Sequence, residues 1–304
     1  MSSEHYTILG AGVVGLTTAL ALHAAHTQAT ITVIAQYLPG DRDPTYASPW
    51  AGANWQSVAN DNGPLETYDR VTFAKFERLA AEHPECGIAQ MGIRKYADAP
   101  IEESGMQSVG TRRVWYEDLV GLKYLKKSEL LPDAVFGVDI EKTWVVNTAI
   151  YLPWLMGQCI ATRKINLVRR KYNHIDAVFA DYPNSEAVFN CTGLGAYSLG
   201  GVEDKSMFPV RGQIVLVAEP KTPIDKMYVR TPKKGLDIAT YVFPRPLGGG
   251  VILGGCRQKG SWNREVDLQL AAEIKERCCA LCPELGTPAN LQVMSHGVGF
   301  RRES

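Results

Sequence analysis

The chain is expected to fold as an α/β protein in which a Rossmann-type dinucleotide-binding domain is interleaved with a second domain on a mostly antiparallel sheet. Three observations predict this. A buried strand, a glycine turn and a helix follow one another in YTILGAGVVGLTTAL, residues 6–20. Short β-branched segments recur after residue 210, separated by Pro- and Gly-bearing turns. Helical periodicity lies on either side of them in the sequence.

The elements follow in order. Residues 6–9 read as a strand, 16–26 as a helix and 31–34 as a second strand, giving a compact βαβ unit and a parallel sheet. Over 65–82 the spacing of Leu65, Val71, Phe76 and Leu79 predicts a helix, ended by His83-Pro84. Residues 212–217, 227–229, 241–243 and 251–255 read as neighbouring antiparallel strands, with the turn 244–250 between the last two. Leu268, Ala271, Ile274, Cys278, Leu281 and Leu285 return to a three-and-four spacing over 265–285, before Pro288. Both domains are visited more than once. Residues 1–60, 150–195 and 296–304 are assigned to the dinucleotide-binding domain, 196–295 to the second domain, and 61–149 to helical and connecting segments shared between them.

Composition narrows the function. With 304 residues and 45% hydrophobic content the chain is long enough for two such units. The 32 basic and 32 acidic residues cancel, so no electrostatic footprint for nucleic acid is present. Apolar runs fall far short of the roughly 20 residues that cross a bilayer, so no membrane partner is expected. A first strand beginning by Tyr6 leaves no room for a secretory signal. Seven cysteines, of which Cys278, Cys279 and Cys282 cluster on a predicted helix, point to a reduced intracellular setting and core packing. No second ligand pair at matching spacing accompanies them, and no metal is expected.

In GAGVVG (Gly10, Ala11, Gly12, Val13, Val14, Gly15) the first glycine permits the tight turn. The second lets backbone approach a pyrophosphate and the third lets helix pack close to strand. The helix N–H groups then face the phosphates. An acid that would grip a ribose at the end of the second strand is missing, since those positions read Ala35, Gln36 and Tyr37. The turn alone leaves nicotinamide and flavin dinucleotides both open.

Five further stretches bear on that choice: YASPWAGANW (46–55), VFNCTGLGA (188–196), RGQIV (211–215), GGCRQKGSWN (254–263) and HGVGFR (296–301). Together, and in this order, they resemble the FAD-dependent D-amino-acid oxidase family in its fungal branch, which includes D-aspartate oxidases. The resemblance runs from about residue 6 to the end of the sequence. It implies a Rossmann-type FAD-binding domain interleaved with a substrate domain. FAD would be held by the glycine turn with Ala47, Ser48, Gly52, Ala53, Asn54, Tyr172, Thr192 and Gly193. Small residues at 52–54 let backbone lie close to a flat ring. The sequon Asn190-Cys191-Thr192 is read as a strand end and not as a glycosylation site.

The resemblance further implies that Arg301 forks onto a substrate carboxylate, a task for which guanidinium geometry is better than an ammonium. Tyr241 would add its hydroxyl, and Asn54 and Arg257 would complete the substrate contacts. The implied reaction is hydride transfer from the α-carbon of a D-amino acid to FAD, with oxygen as acceptor, yielding peroxide, ammonia and a 2-oxo acid. No side chain is required as acid or base, so the protein's task is to fix the carboxylate and aim the C–H bond. His296 is read as a turn histidine without a catalytic role.

Departures from the family keep alternatives open. Asp237 stands where mammalian members carry a lid tyrosine. Arg230 and Arg257 occupy positions where D-aspartate oxidases place cations for a side-chain carboxylate, which makes that activity the alternative within the class. The sequence stops at Ser304, shortly after the arginine motif, whereas family members continue for several dozen residues. A flavin-free scaffold is the alternative of another class, and a nicotinamide dehydrogenase a third. The expected partners are a small D-amino acid and oxygen, with a homodimer as the assembly considered. A peroxisomal location follows from the resemblance, a cytoplasmic one otherwise, because no C-terminal address is present to read.

Overall fold

The computed structural model describes residues 4–233 and 238–304. In chain order the first half carries β1 (His5–Leu9), α1 (Val13–Ala25), β2 (Thr30–Ala35), α2 (Pro64–Glu82), β3 (Ile88–Ala97), α3 (Glu117–Val120), β4 (Leu122–Tyr124) and β5 (Phe136–Val146). The second half carries α4 (Thr148–Ala161), β6 (Ile165–Arg169), α5 (Ile175–Asp181), β7 (Ala187–Asn190), β8 (Phe208–Val217), β9 (Lys226–Thr231), β10 (Thr240–Pro244), β11 (Val251–Gly254), β12 (Gln258–Lys259), α6 (Leu268–Leu281) and β13 (Val293–Glu303).

Two sheets organise these elements. The smaller has the order β6-β2-β1-β7, with every pair parallel. Its central strands are apolar because both faces are covered, and Ile8, Ile31 and Val33 are fully enclosed. Helix α1 buries Gly15, Leu16 and Ala19, and the Cys159 thiol of α4 donates to the Leu16 carbonyl at 3.7 Å. Helix α4 starts at Asn147, whose side chain accepts from the Ala149 N–H at 3.2 Å and so satisfies an orphan donor.

Among the described residues the larger sheet has nine strands in the order β12-β8-β11-β10-β9-β3-β5-β4, with β13 also on β8. Of these pairs β3 and β9 run parallel and the others antiparallel. One face carries Ile93, Val229, Phe243 and Ile214 in the main core. The other carries Tyr96, Val215, Val242 and Leu253 against Ala271, Ile274, Cys278 and Leu281 of α6. Asp267 caps that helix, accepting from the Leu270 N–H at 3.0 Å. Cys278 is buried in this layer, and burial pushes its thiol up to about 12.

Three sequence expectations are corrected here. Residues 61–149 are not merely helical and connecting, because they supply β3, β4 and β5. Polar residues mask their period, since Lys95 is buried within β3 and Arg94 meets Asp139 of β5 across 45 residues at 2.7 Å. Of residues 296–304, all but Ser304 lie on β13 of the larger sheet, where Arg301 is in register with Val210. Their glycines obscure a strand that becomes regular only beside β8. Helix α2 forms as expected, yet Leu65 and Val71 face solvent and Phe73 and Leu79 are buried. Asp237 lies outside the described residues.

Candidate cofactor and substrate site

Gly10 leaves β1 at φ +106°, a conformation open to glycine, and its N–H donates to the Ile34 carbonyl at 2.8 Å. A Cβ at Gly10 would overlap the Cys191 carbonyl, and one at Gly15 would overlap the Gly10 carbonyl. The turn is therefore closed on both sides by backbone. Gly12 caps α1, and a Cβ there would stand 3.0 Å from Ser48 Oγ. The segment after β2 folds over this turn: Val13 N–H donates to Ser48 Oγ at 3.1 Å, and the Tyr46 hydroxyl donates to the Ala11 carbonyl at 2.8 Å.

Beyond the carboxyl ends of β1 and β2 opens a cavity of about 820 Å³. Gly10, Ala11, Gly12, Val14, Ala47, Ser48, Tyr172, Thr192 and Gly193 all line it, and Val13 and Gly15 back the turn. This is where a parallel α/β sheet places a ligand. Arg170, Lys171, Arg264 and Arg302 also reach its wall; Arg170 pairs with Asp181 and Arg264 with Asp43, while Lys171 and Arg302 have no carboxylate partner among the described residues. An anion is the electrostatically matched occupant. Tyr172 lies beneath the Arg170 guanidinium at 4.5 Å, and its hydroxyl donates to Asp181 at 2.5 Å. The Thr192 hydroxyl donates to Asn190 Oδ1 at 2.6 Å, which ties down the loop after β7. Gln36, standing where an acid would grip ribose, donates to the Tyr37 hydroxyl at 3.0 Å.

Residues 50–54 lie across one face of the larger sheet. Trp50 packs on β13, where a Cβ on Gly297 or Gly299 would come within 2.7 or 2.9 Å of its ring. A Cβ on Gly52 would stand 2.5 Å from the Phe243 ring. That ring stacks on Tyr241, with centroids 4.8 Å apart. Asn54 is bridged by backbone to Val145, and its buried Nδ2 has no partner among the described residues. An acceptor supplied by a bound molecule would satisfy it.

Tyr241 lies over Gly254 and Gly255, and burial pushes its phenol up to about 12 while the Arg301 charge acts in the opposite direction. The structure thus brings Tyr241 and Arg301 into one electrostatic neighbourhood. Arg301 Nη2 donates to the Cys256 carbonyl at 2.9 Å, and a Cβ on Gly212 would stand 3.2 Å from the same nitrogen. Most of its fork remains available.

The two cations considered for a second carboxylate are engaged elsewhere. Arg257 pairs with Glu303 at 2.6 Å at the surface. Arg230 is opposite Thr240 on β10 while Tyr241 is opposite Val229, so Arg230 projects from the other face and pairs with Asp98 at 2.9 Å. His296 stands in β13 opposite Val215 and is not a turn residue. Sequence reasoning passed over the cavity cations, Trp50, Phe243 and Arg245. Only Arg245, a charge closing an apolar strand, left a signal that could have been followed.

A family model described as FAD dependent oxidoreductase matches residues 5–303. The chain belongs to this family. It is 34% identical over 297 residues to the D-amino-acid oxidase of Schizosaccharomyces pombe, covering 97% of this chain and 82% of that protein. It is 36% identical over 313 residues to the D-amino-acid oxidase of Fusarium vanettenii, covering 98% and 84%. With the D-aspartate oxidase of Homo sapiens the identity is 31% over 296 residues, covering 96% and 80%. A solved glycine oxidase from Geobacillus kaustophilus shares the fold, with a TM-score of 0.74 at 20% identity over 99% of this chain and 84% of that one. The cofactor is therefore FAD and not a nicotinamide, and the cationic cavity, the closed glycine turn and the unpartnered Asn54 amide fit it. Among the described residues no helix is long and apolar enough to cross a membrane.

Proposed function

We propose that this protein is an FAD-dependent D-amino-acid oxidase that converts small neutral D-amino acids to 2-oxo acids, ammonia and hydrogen peroxide. The observation that carries the reading is the pairing of a dinucleotide cavity with Arg301 and Tyr241 on the adjoining sheet, in a chain matching fungal D-amino-acid oxidases along nearly its whole length. When bound, FAD supplies the hydride acceptor and the route of electrons to oxygen. Arg301 holds the substrate carboxylate by two parallel N–H donors. Tyr241, kept protonated by burial, donates its hydroxyl to the same group. With the carboxylate and the amine both held, the α-hydrogen of only one enantiomer faces the flavin and the handedness is set. Phe243 and Trp50 form apolar walls that exclude water. The released imino acid then hydrolyses in solution.

Gly10 to Gly15, with Ala47, Ser48, Tyr172, Thr192 and Gly193, are assigned to the dinucleotide part of FAD. Gly52, Ala53 and Asn54 are assigned to the flavin ring. The four-stranded sheet is read as the FAD-binding domain and the nine-stranded sheet as the substrate domain. The ion pairs of Arg230 and Arg257 favour D-alanine over D-aspartate as substrate. A homodimer is proposed as the assembly, since Leu65, Tyr68 and Val71 expose an apolar stripe along α2, and light scattering tests it. Peroxide release favours a peroxisomal location, tested by imaging a tagged full-length protein in cells.

The deciding experiment supplies the FAD-loaded protein with D- and L-alanine and follows oxygen uptake and peroxide. Turnover of the D-enantiomer alone is expected. Equal turnover of both, or of neither in a protein of normal flavin content, would overturn the reading.

A further inference from the structure

Arg245 follows β10 and is only 6% exposed. Its Nε donates to the Gly52 carbonyl at 2.9 Å, and its Nη2 donates to the Ala51 carbonyl at 2.8 Å and to Thr148 Oγ1 at 3.1 Å. All three acceptors are neutral. No carboxylate pairs with it among the described residues, and the charge acting on it is that of Arg42, of the same sign. Arg42 in turn lies over the Trp50 ring at 5.3 Å. Burial lowers the Arg245 guanidinium to about 10, still charged at neutral pH. A buried charge is ordinarily paired, and an unpaired one is strongly disfavoured. This one spends its donors on a segment of two small residues, Ala51 and Gly52, pressed against Phe243.

The hydrogen bonds also set a direction. The peptide between Ala51 and Gly52 is trans, so its N–H points opposite to its carbonyl. Holding the Ala51 carbonyl towards Arg245 turns the Gly52 N–H away, and that N–H has no acceptor among the described residues. Close by in sequence, Asn54 Nδ2 is likewise a donor without a partner. Arg245 thus holds a segment, residues 51–54, that carries two donors without acceptors among the described residues.

We propose that Arg245 is a positioning residue that fixes residues 51–54 against the flavin ring, and that its unbalanced charge strengthens binding of the reduced, anionic flavin relative to the oxidised one. The inference rests on the assignment of Gly52, Ala53 and Asn54 to that ring. Its physical basis is that a fixed charge in a dry, low-dielectric site acts more strongly on a developing anion than it would in water.

The test uses the full chain and its Arg245→Met and Arg245→Lys variants. Dissociation constants for oxidised and anaerobically reduced FAD are measured by protein fluorescence, and the midpoint potential by dye equilibration. Arg245→Met is expected to shift the ratio of the two constants about tenfold against reduced flavin, which for two electrons is a potential lower by about 30 mV. Arg245→Lys keeps the charge and loses the fork, so both constants should rise together with the ratio held within about threefold. An unchanged ratio in Arg245→Met would reduce Arg245 to a clamp and overturn the electrostatic claim. Should Arg245→Met fail to fold, a tenfold loss of ratio in Arg245→Lys overturns it equally. A parent protein that binds neither form of FAD would instead remove the cofactor reading, and the inference with it.

Discussion

The Tyr241 hydroxyl lies so close over Gly255 that a Cβ there would stand 2.8 Å away, and Gly254, directly opposite Tyr241 on β11, is more closely covered still. The ring lies flat along the strand only because two successive residues lack side chains. This contact gives the first prediction. Gly254→Ala should displace the phenol and raise KM for D-alanine about tenfold, a change of roughly 1.4 kcal/mol. FAD content should stay at the parent level, and a variant with unchanged KM would show that Tyr241 position is not limiting.

Arg301→Ala should reduce kcat/KM for D-alanine roughly 30-fold to several thousand-fold, because losing one partner of a desolvated charge pair costs about 2 to 5 kcal/mol. Arg301→Lys should recover part of this, since an ammonium cannot form two parallel hydrogen bonds. Flavin is quantified alongside in each variant. Parent-like efficiency in Arg301→Ala with full flavin would remove the carboxylate assignment.

Gly10→Ala should abolish FAD retention and lower Tm. The residue sits at φ +106° and the added carbon would overlap Cys191 backbone, where strain of about 1–3 kcal/mol is typical. Gel filtration followed by a visible spectrum reads the cofactor, and calorimetry the stability.

Tyr241 yields a pH prediction. Burial raises its folded value to about 12, above the roughly 10 of an unfolded tyrosine. A raised value means the native state holds the proton more tightly. Its stabilising contribution is complete below pH 10 and is lost as pH rises towards 12. Tm should therefore fall more steeply between pH 10 and 12 in the parent than in Tyr241→Phe. Any decline of kcat/KM below pH 10 should persist in that variant, since the phenol does not titrate there.

Arg257→Ala should leave stability within about 1 kcal/mol, because its partner Glu303 is met at the surface. Turnover of D-alanine and D-aspartate should change by the same factor. A selective loss of D-aspartate turnover would assign Arg257 a side-chain role that its ion pair argues against.

The legible parts of the molecule were those whose signal is local. The turn at Gly10, Gly12 and Gly15 is written within six residues, although of the three only Gly15 answers to a close neighbour in sequence, Gly10, while Gly10 and Gly12 meet Cys191 and Ser48. The antiparallel run from β8 to β11 could be read from β-branched segments between Pro- and Gly-bearing turns, and the buried stripe of α6 from its period. Strands β3 and β5 could not, since Arg94, Lys95 and Asp139 look like a solvated stretch until the Arg94–Asp139 pair forms across the sheet.

By itself the sequence determined the class of chemistry. The glycine turn after a strand pointed to a dinucleotide, and the resemblance of the further ordered motifs to one family of flavoenzymes narrowed that to FAD and an amino-acid oxidation. Only the tertiary structure decided which charges are free to act. Arg257, Arg230, Arg301 and Arg245 are alike in the sequence, yet the fold pairs two with carboxylates, leaves the fork of one open beside Tyr241, and buries one against neutral carbonyls. A charge acts through its distances and its solvation, and both are set by residues tens to hundreds of positions away.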